Sequence, residues 1–176
     1  MRIGSILAVA WLARTRRASL AAIVLCVLAG PPVLAQGTAP NALVEARDLA
    51  ADARLAASRG VPLVVLYSRD DCSWCEKLKR EHLAPLSRDP AAPALVRELH
   101  MDRATPLTDF AGRRTTSADF SRQMQAHFAP TVMFHGPDGE ALAESIVGFR
   151  LADFYAAYLD RAIQESRLRL QRRKSS

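Results

Sequence analysis

Two cysteines three residues apart, Cys72 and Cys75, stand where an apolar run ends and a helical segment begins. Residues 61–67 read Val-Pro-Leu-Val-Val-Leu-Tyr, a short β-rich stretch of the kind that forms a strand covered on both faces. Residues 68–71 are polar and predict a turn. A helix is expected from Cys72 to about His82. No other feature limits the chain as strongly. The strand must lie inside a sheet, and the helix that follows must carry both cysteines in its first turn.

That placement has chemical consequences. Residues i and i+3 of a helix share a face, so the two sulfurs are close enough to close a small disulfide ring. The first turn also presents free N–H groups and the positive end of the helix dipole, and both stabilise a thiolate. Cys72 is therefore expected to be the nucleophile, with a lowered pKa, and Cys75, one turn deeper, the resolving thiol. Three plainer uses of the pair are weaker. A zinc site needs two more ligands, and His82, His100, His127 and His135 show no paired spacing, so no metal is expected. A structural disulfide closing two residues would restrain little chain entropy. An inert reduced pair is at odds with export. Trp74, between the cysteines, is expected to be exposed and to offer an apolar ledge to an incoming peptide.

The ends of the chain account for its basic character. The 176 residues carry a formal charge of +6, yet residues 1–35 hold four arginines and no acid, and residues 166–176 hold five basic groups. Between them the body is slightly acidic, which leaves no basic face for nucleic acid. Residues 1–35 read as an export signal: Arg14, Arg16 and Arg17, an apolar run over residues 20–28, then Val33-Leu34-Ala35 as a cleavage site. Cleavage after Ala35 and a periplasmic mature protein are expected, by the general or the twin-arginine route. A second apolar run over residues 3–13 leaves an uncleaved anchor as the alternative. Residues 36–40 read as a linker, 41–165 as one domain and 166–176 as a fraying basic tail.

Within that domain helix and strand alternate. A helix is expected over residues 41–58, capped by Asn41, and the strand over 61–67 follows. After the cysteine helix, three prolines in residues 85–93 predict a loop. Residues 94–98 read as a helical piece before a strand over 99–102, and residues 105–116 as a loop. Thr116 or Ser117 caps a helix to about His127, with Phe120, Met124 and Phe128 facing the core. A hairpin joins residues 131–135 to 140–147 through Gly136-Pro137-Asp138-Gly139. A last helix over 151–163 places Phe154, Tyr158 and Leu159 inward. The order implies an α/β fold with a mixed central sheet and helices on both faces.

At this point the sequence resembles the thioredoxin-like family. The strand, Cys72-x-x-Cys75 and helix match that family's active-site segment. Ala129-Pro130-Thr131, leading into Val132-Met133-Phe134, matches its cis-proline loop; the Gly136–Gly139 turn and Gly148 match the end of the fold. The resemblance covers about residues 61–165. It implies a thioredoxin-like fold, a cis Ala129–Pro130 bond facing the cysteines, and a peptide-docking edge at Ala129, Pro130 and Thr131. No cofactor is implied. Within the family, the 108–110 segment is most similar to exported SoxW-like proteins, which implies periplasmic disulfide substrates, a membrane thiol transporter of the CcdA or DsbD kind as electron donor, and a monomer. The chain also departs from the pattern. Leu66 stands where many thioredoxins carry a buried acid, so no proton acceptor for Cys75 is assigned. Asp70 and Asp71 would oppose a thiolate at Cys72. Ser73-Trp74 lacks the histidine of strong oxidants, which favours a reductant. A binding module or chaperone of the same fold, without turnover, stays open as the alternative.

Overall fold

In the computed structural model, residues 41–149 and 152–175 are described; the expected signal and linker, residues 1–40, lie outside them. The central strand β1 (Leu63–Ser68) is buried along its whole length. It pairs in parallel with β2 (Leu95–His100) and antiparallel with β5 (Thr131–His135), which pairs antiparallel with β6 (Ile146–Val147), giving the order β2-β1-β5-β6. A separate hairpin joins β3 (Pro106–Thr108) to β4 (Arg114–Thr116). The Asp109 carboxylate closes it by accepting from the Ala111 and Arg113 N–H groups.

Alternation along β1 divides the core. Leu63, Val65 and Tyr67 point to the face covered by α1 (Leu49–Ser58) and α4 (Ser117–Gln123), where Leu49, Ala53 and Phe120 meet them. Val64 and Leu66 point to the opposite face, covered by Leu78 and Leu83 and by Tyr155, Leu159 and Ile163 of α5 (Ala152–Lys174). The sheet is mixed and has helices on both faces.

Several local expectations change, each for a tertiary reason. Residues 41–48 do not open the first helix, because Ala46 N–H donates to the Glu98 carbonyl and Glu98 N–H to the Val44 carbonyl, covering the edge of β2. Asp48 becomes the N-cap instead, its carboxylate accepting from Ala51 N–H at 2.7 Å. Residues 95–98 are strand rather than helix because β1 offers them a complete parallel ladder. The cysteine helix does not stop near His82. It runs as α2 (Ser73–Leu78), a π-helical turn (Lys79–Leu83) and α3 (Ala84–Arg88). The wide turn ends just before Pro85, which has no N–H to give the Glu81 carbonyl. Residues 105–116 form the β3–β4 hairpin. The returning strand of the second hairpin is short, with one bridge from His135 to Ala141 before β6. Helix α5 continues through Lys174, so the expected fraying tail is helical, held by buried Ser166 and Leu170. Among the described residues no helix is long and apolar enough to cross a membrane.

Candidate functional site

The turn after β1 delivers Cys72 to the N-cap of α2, where its Sγ accepts the Cys75 N–H at 3.1 Å. The two cysteines form a disulfide, with S–S 2.01 Å and Cα–Cα 5.2 Å. The halves differ in access: Cys72 is half-buried, whereas Cys75 is 0% exposed. An incoming thiol or thiolate reaches Cys72 first, and an amide N–H is already aimed at that sulfur.

A groove of about 390 Å³ runs beside Cys72. Asp71, Trp74, His127, Phe128 and Ala129 are among the residues that line it. Trp74 is 55% exposed and Phe128 69% exposed. The expectation that Phe128 belongs to the core is corrected: helix α4 ends at Gln123, and the left-handed Gln125 turns the chain so that Phe128 faces out beside the disulfide. Phe154 and Tyr158 are likewise exposed, Tyr155 taking the inward position. The Ala129–Pro130 bond is cis. Ala129 reaches the groove, while Pro130 and Thr131 are buried behind it, the Thr131 hydroxyl donating to the Phe128 carbonyl at 2.7 Å. The Pro130 carbonyl accepts the Gly148 N–H, and Phe149, next in the chain, packs its ring 6.0 Å from that of Trp74.

Beneath the helix lies a polar group that sequence reasoning missed. Lys79, one turn beyond Cys75, is buried and places Nζ 3.0 Å from Glu98 Oε1 and 2.6 Å from Glu76. Glu98 is also buried, and it accepts from the Ser68 hydroxyl at 2.7 Å. Burial pulls the Lys79 pKa down, but its two carboxylate partners outweigh that and leave it raised. Glu98 was hidden because its segment read as helix, which obscured the alternation Val96, Glu98, His100 on one face. Asp70 is not a free charge beside Cys72. Arg103 holds its carboxylate at 3.0 Å and lowers its pKa, and His100 Nδ1 lies 3.1 Å away.

The thioredoxin-like domain family profile matches residues 49–163. The chain belongs to the thioredoxin-like domain family. No curated protein matches it. Similar solved structures include mitochondrial thioredoxin 3 from Saccharomyces cerevisiae, at 16% identity and TM-score 0.48, covering 73% of this chain and 99% of that one. The periplasmic thioredoxin SoxS from Paracoccus pantotrophus is 20% identical, with TM-score 0.42, covering 60% of this chain and 98% of that one. A DsbH oxidoreductase is 16% identical, with TM-score 0.48, covering 74% and 92%. A Cys-x-x-Cys disulfide at the first turn of the helix after β1, in a thioredoxin-like fold, supports thiol–disulfide oxidoreductase activity.

Proposed function

We propose that the mature protein works outside the cytoplasm, in the periplasm, as a monomeric reductant of disulfides in exported proteins. The observation that carries the chemistry is the asymmetric pair: Cys72 reachable from the groove flanked by Trp74 and Phe128, Cys75 fully buried. In the reduced protein the Cys72 thiolate attacks a substrate disulfide. A Cys72–substrate S–S bond forms, and the first substrate sulfur leaves as a thiolate that takes a proton from water. The Cys75 thiol then attacks Cys72 Sγ, and the proton it gives up ends on the departing second substrate sulfur. The Cys72–Cys75 bond closes, the mixed disulfide breaks, and the second substrate thiol leaves. Two electrons pass from the dithiol to the substrate.

Trp74, Phe128 and the Ala129 backbone are suited to seat an extended substrate segment against Cys72, with Pro130 and Thr131 supporting that edge. The arginines, apolar run and Val33-Leu34-Ala35 at the N-terminus support export. A periplasmic dithiol must be recharged, and a membrane thiol transporter of the CcdA or DsbD kind is the donor proposed. Ser73-Trp74, without a cationic side chain between the cysteines, supports a reducing role.

The test is Cys75→Ala in the exported protein. Accumulation of disulfide-linked partners on Cys72 supports turnover. Exported proteins recovered only through non-covalent contacts would support a binding module instead.

A further inference from the structure

Helix α5 has two apolar sides, and the fold uses one of them. Tyr155, Leu159, Ile163 and Leu170 are buried against the sheet. On the opposite side Phe154, Tyr158 and Leu168 are exposed. We propose that this outer side of α5 lies on an anionic membrane surface. The proposal goes beyond the oxidoreductase reading and does not depend on it.

Helical spacing builds the outer side. At about 100° per residue, Phe154, Tyr158, Arg161, Leu168 and Arg172 fall in one stripe about 80° wide, running the length of the helix. The one acid on the stripe, Glu165, is held by Arg169 at 2.8 Å. Asp153 and Asp160 fall outside it. Val147, on the edge strand β6, is also exposed. With Tyr158 and Arg161 it lines a cleft of about 440 Å³ that also holds Glu144. The apolar surface therefore continues from the helix onto the sheet edge.

The charge on the helix is one-sided. Residues 167–174 carry Arg167, Arg169, Arg172, Arg173 and Lys174 and no acid. Arg173 turns back to Asp138 and Glu140, and Arg169 to Glu165. Among the described residues Arg161 and Arg167 form no ion pair. The stripe thus mixes exposed aromatic and leucine side chains with cations that the protein itself does not neutralise.

That mixture selects the occupant. Guanidinium groups pair with lipid phosphates, while phenylalanine, tyrosine and leucine side chains enter the boundary between headgroups and acyl chains. A nucleic acid would meet the arginines but gain nothing from Phe154 and Leu168. A purely apolar partner would strand Arg161 and Arg172 away from water. An anionic bilayer accommodates both. The helix is 23 residues long, about 35 Å, and its packed side fixes it parallel to whatever surface the outer side meets. Each arginine at such a surface adds roughly fivefold to binding.

Co-sedimentation of the exported protein with phosphatidylcholine vesicles containing about one-third phosphatidylglycerol tests the stripe, against pure phosphatidylcholine. At low salt the mixed vesicles should bind at least about tenfold more tightly than the neutral ones, and high salt should remove most of that difference. R161E/R172E should weaken binding to the mixed vesicles by at least about tenfold. R161Q/R172Q, which adds no acid, should give a smaller loss of the same kind. F154S/L168S should weaken binding several-fold. These positions are exposed and lie outside the cysteine site, so each variant should unfold in urea and reduce dithiobis(nitrobenzoate) as the parent does. No binding, equal binding to neutral and mixed vesicles, or parent-like binding by R161E/R172E overturns the proposal. So does a short DNA duplex bound as tightly as the mixed vesicles. Sedimentation velocity that finds the parent dimeric and F154S/L168S monomeric also overturns it, by making the stripe an interface between copies of the chain.

Discussion

The ring of Trp74 rests 6.0 Å from the ring of Phe149, and Lys77 Nζ stands 5.7 Å from both centroids. Phe149 follows Gly148, whose N–H binds the Pro130 carbonyl at 2.7 Å. One strap therefore links the loop after α4 to Trp74, one of the two residues between the cysteines. The exposed tryptophan packs against Phe149, the residue after a backbone bond that lies just beyond the β5–β6 pairing.

Trp74→Ala should separate substrate size from chemistry. The side chain is more than half exposed, so global stability should change by no more than about 0.5 kcal/mol. Reduction of a disulfide-bonded protein such as insulin should slow several-fold, while reaction with a small aromatic disulfide should stay within a factor of about two. Phe128→Ala should show the same split. Equal slowing with both substrates would mean that the groove does not dock protein chains.

Alkylation of the reduced protein should distinguish the cysteines. Cys72 is accessible and accepts the Cys75 N–H; Cys75 is fully buried. Iodoacetamide at neutral pH should modify Cys72 at least about tenfold faster, read by mass spectrometry of the two peptides. Comparable rates would remove the assignment of nucleophile and resolving thiol.

The buried ion pair makes Lys79 a structural weak point as well. Lys79→Met leaves Glu98 buried with its cationic partner gone, at a cost of about 3–5 kcal/mol. The double variant E98Q/K79M should recover much of that loss, because neither charge is then stranded. Denaturant unfolding of the three proteins checks this. A double variant no more stable than Lys79→Met would show that the two groups do not depend on each other.

The active-site segment and the order of the main elements were legible because each rests on local signals. An apolar β-rich run, a polar turn and a capped helix leave little choice around Cys72. Segments whose structure depends on distant partners were not legible. Residues 43–47 have a helical pattern, yet the open edge of β2 draws them into pairing at Glu98. That same edge makes residues 95–98 a strand, so a carboxylate expected on a helical surface is buried in the sheet. Phe128 looked like a core residue because helix α4 was read one turn too long. The basic stretch after residue 165 looked like a loose end because charge dominates it, but Leu170 and Ser166 recur at helical spacing and are buried.

Leu170→Ala follows from that last point. The residue is 7% exposed and joins the cluster under α5. A fraying tail would make the substitution silent. Packing as observed predicts a loss of about 2–5 kcal/mol in denaturant unfolding, with the cysteines' reactivity unchanged because the site lies elsewhere on the sheet.

Acid should weaken the fold through His135. Its ring is buried beside Phe110, with centroids 4.8 Å apart, and Nδ1 lies 3.1 Å from the Gly139 carbonyl. Burial lowers its pKa to about 4, against the ordinary 6.5, despite the opposing effect of the Gly139 contact. The sign follows from proton counting. Between these two values the unfolded chain binds a proton at this residue and the folded protein does not, so stability is full above about pH 6.5 and falls as the pH drops towards 4. The shift is equivalent to about 3 kcal/mol at most. His82, also lowered mainly by burial, acts in the same direction. Asp109 and Asp70 have lowered pKa values, so their contribution is lost only at still lower pH. Urea midpoints at pH 7, 5.5 and 4.5 measure the combined slope, and His135→Gln isolates the share of this residue. The variant should start less stable at pH 7 and lose less on acidification than the parent. Parallel curves for the two proteins would show that His135 stays neutral, or stays charged, in both states.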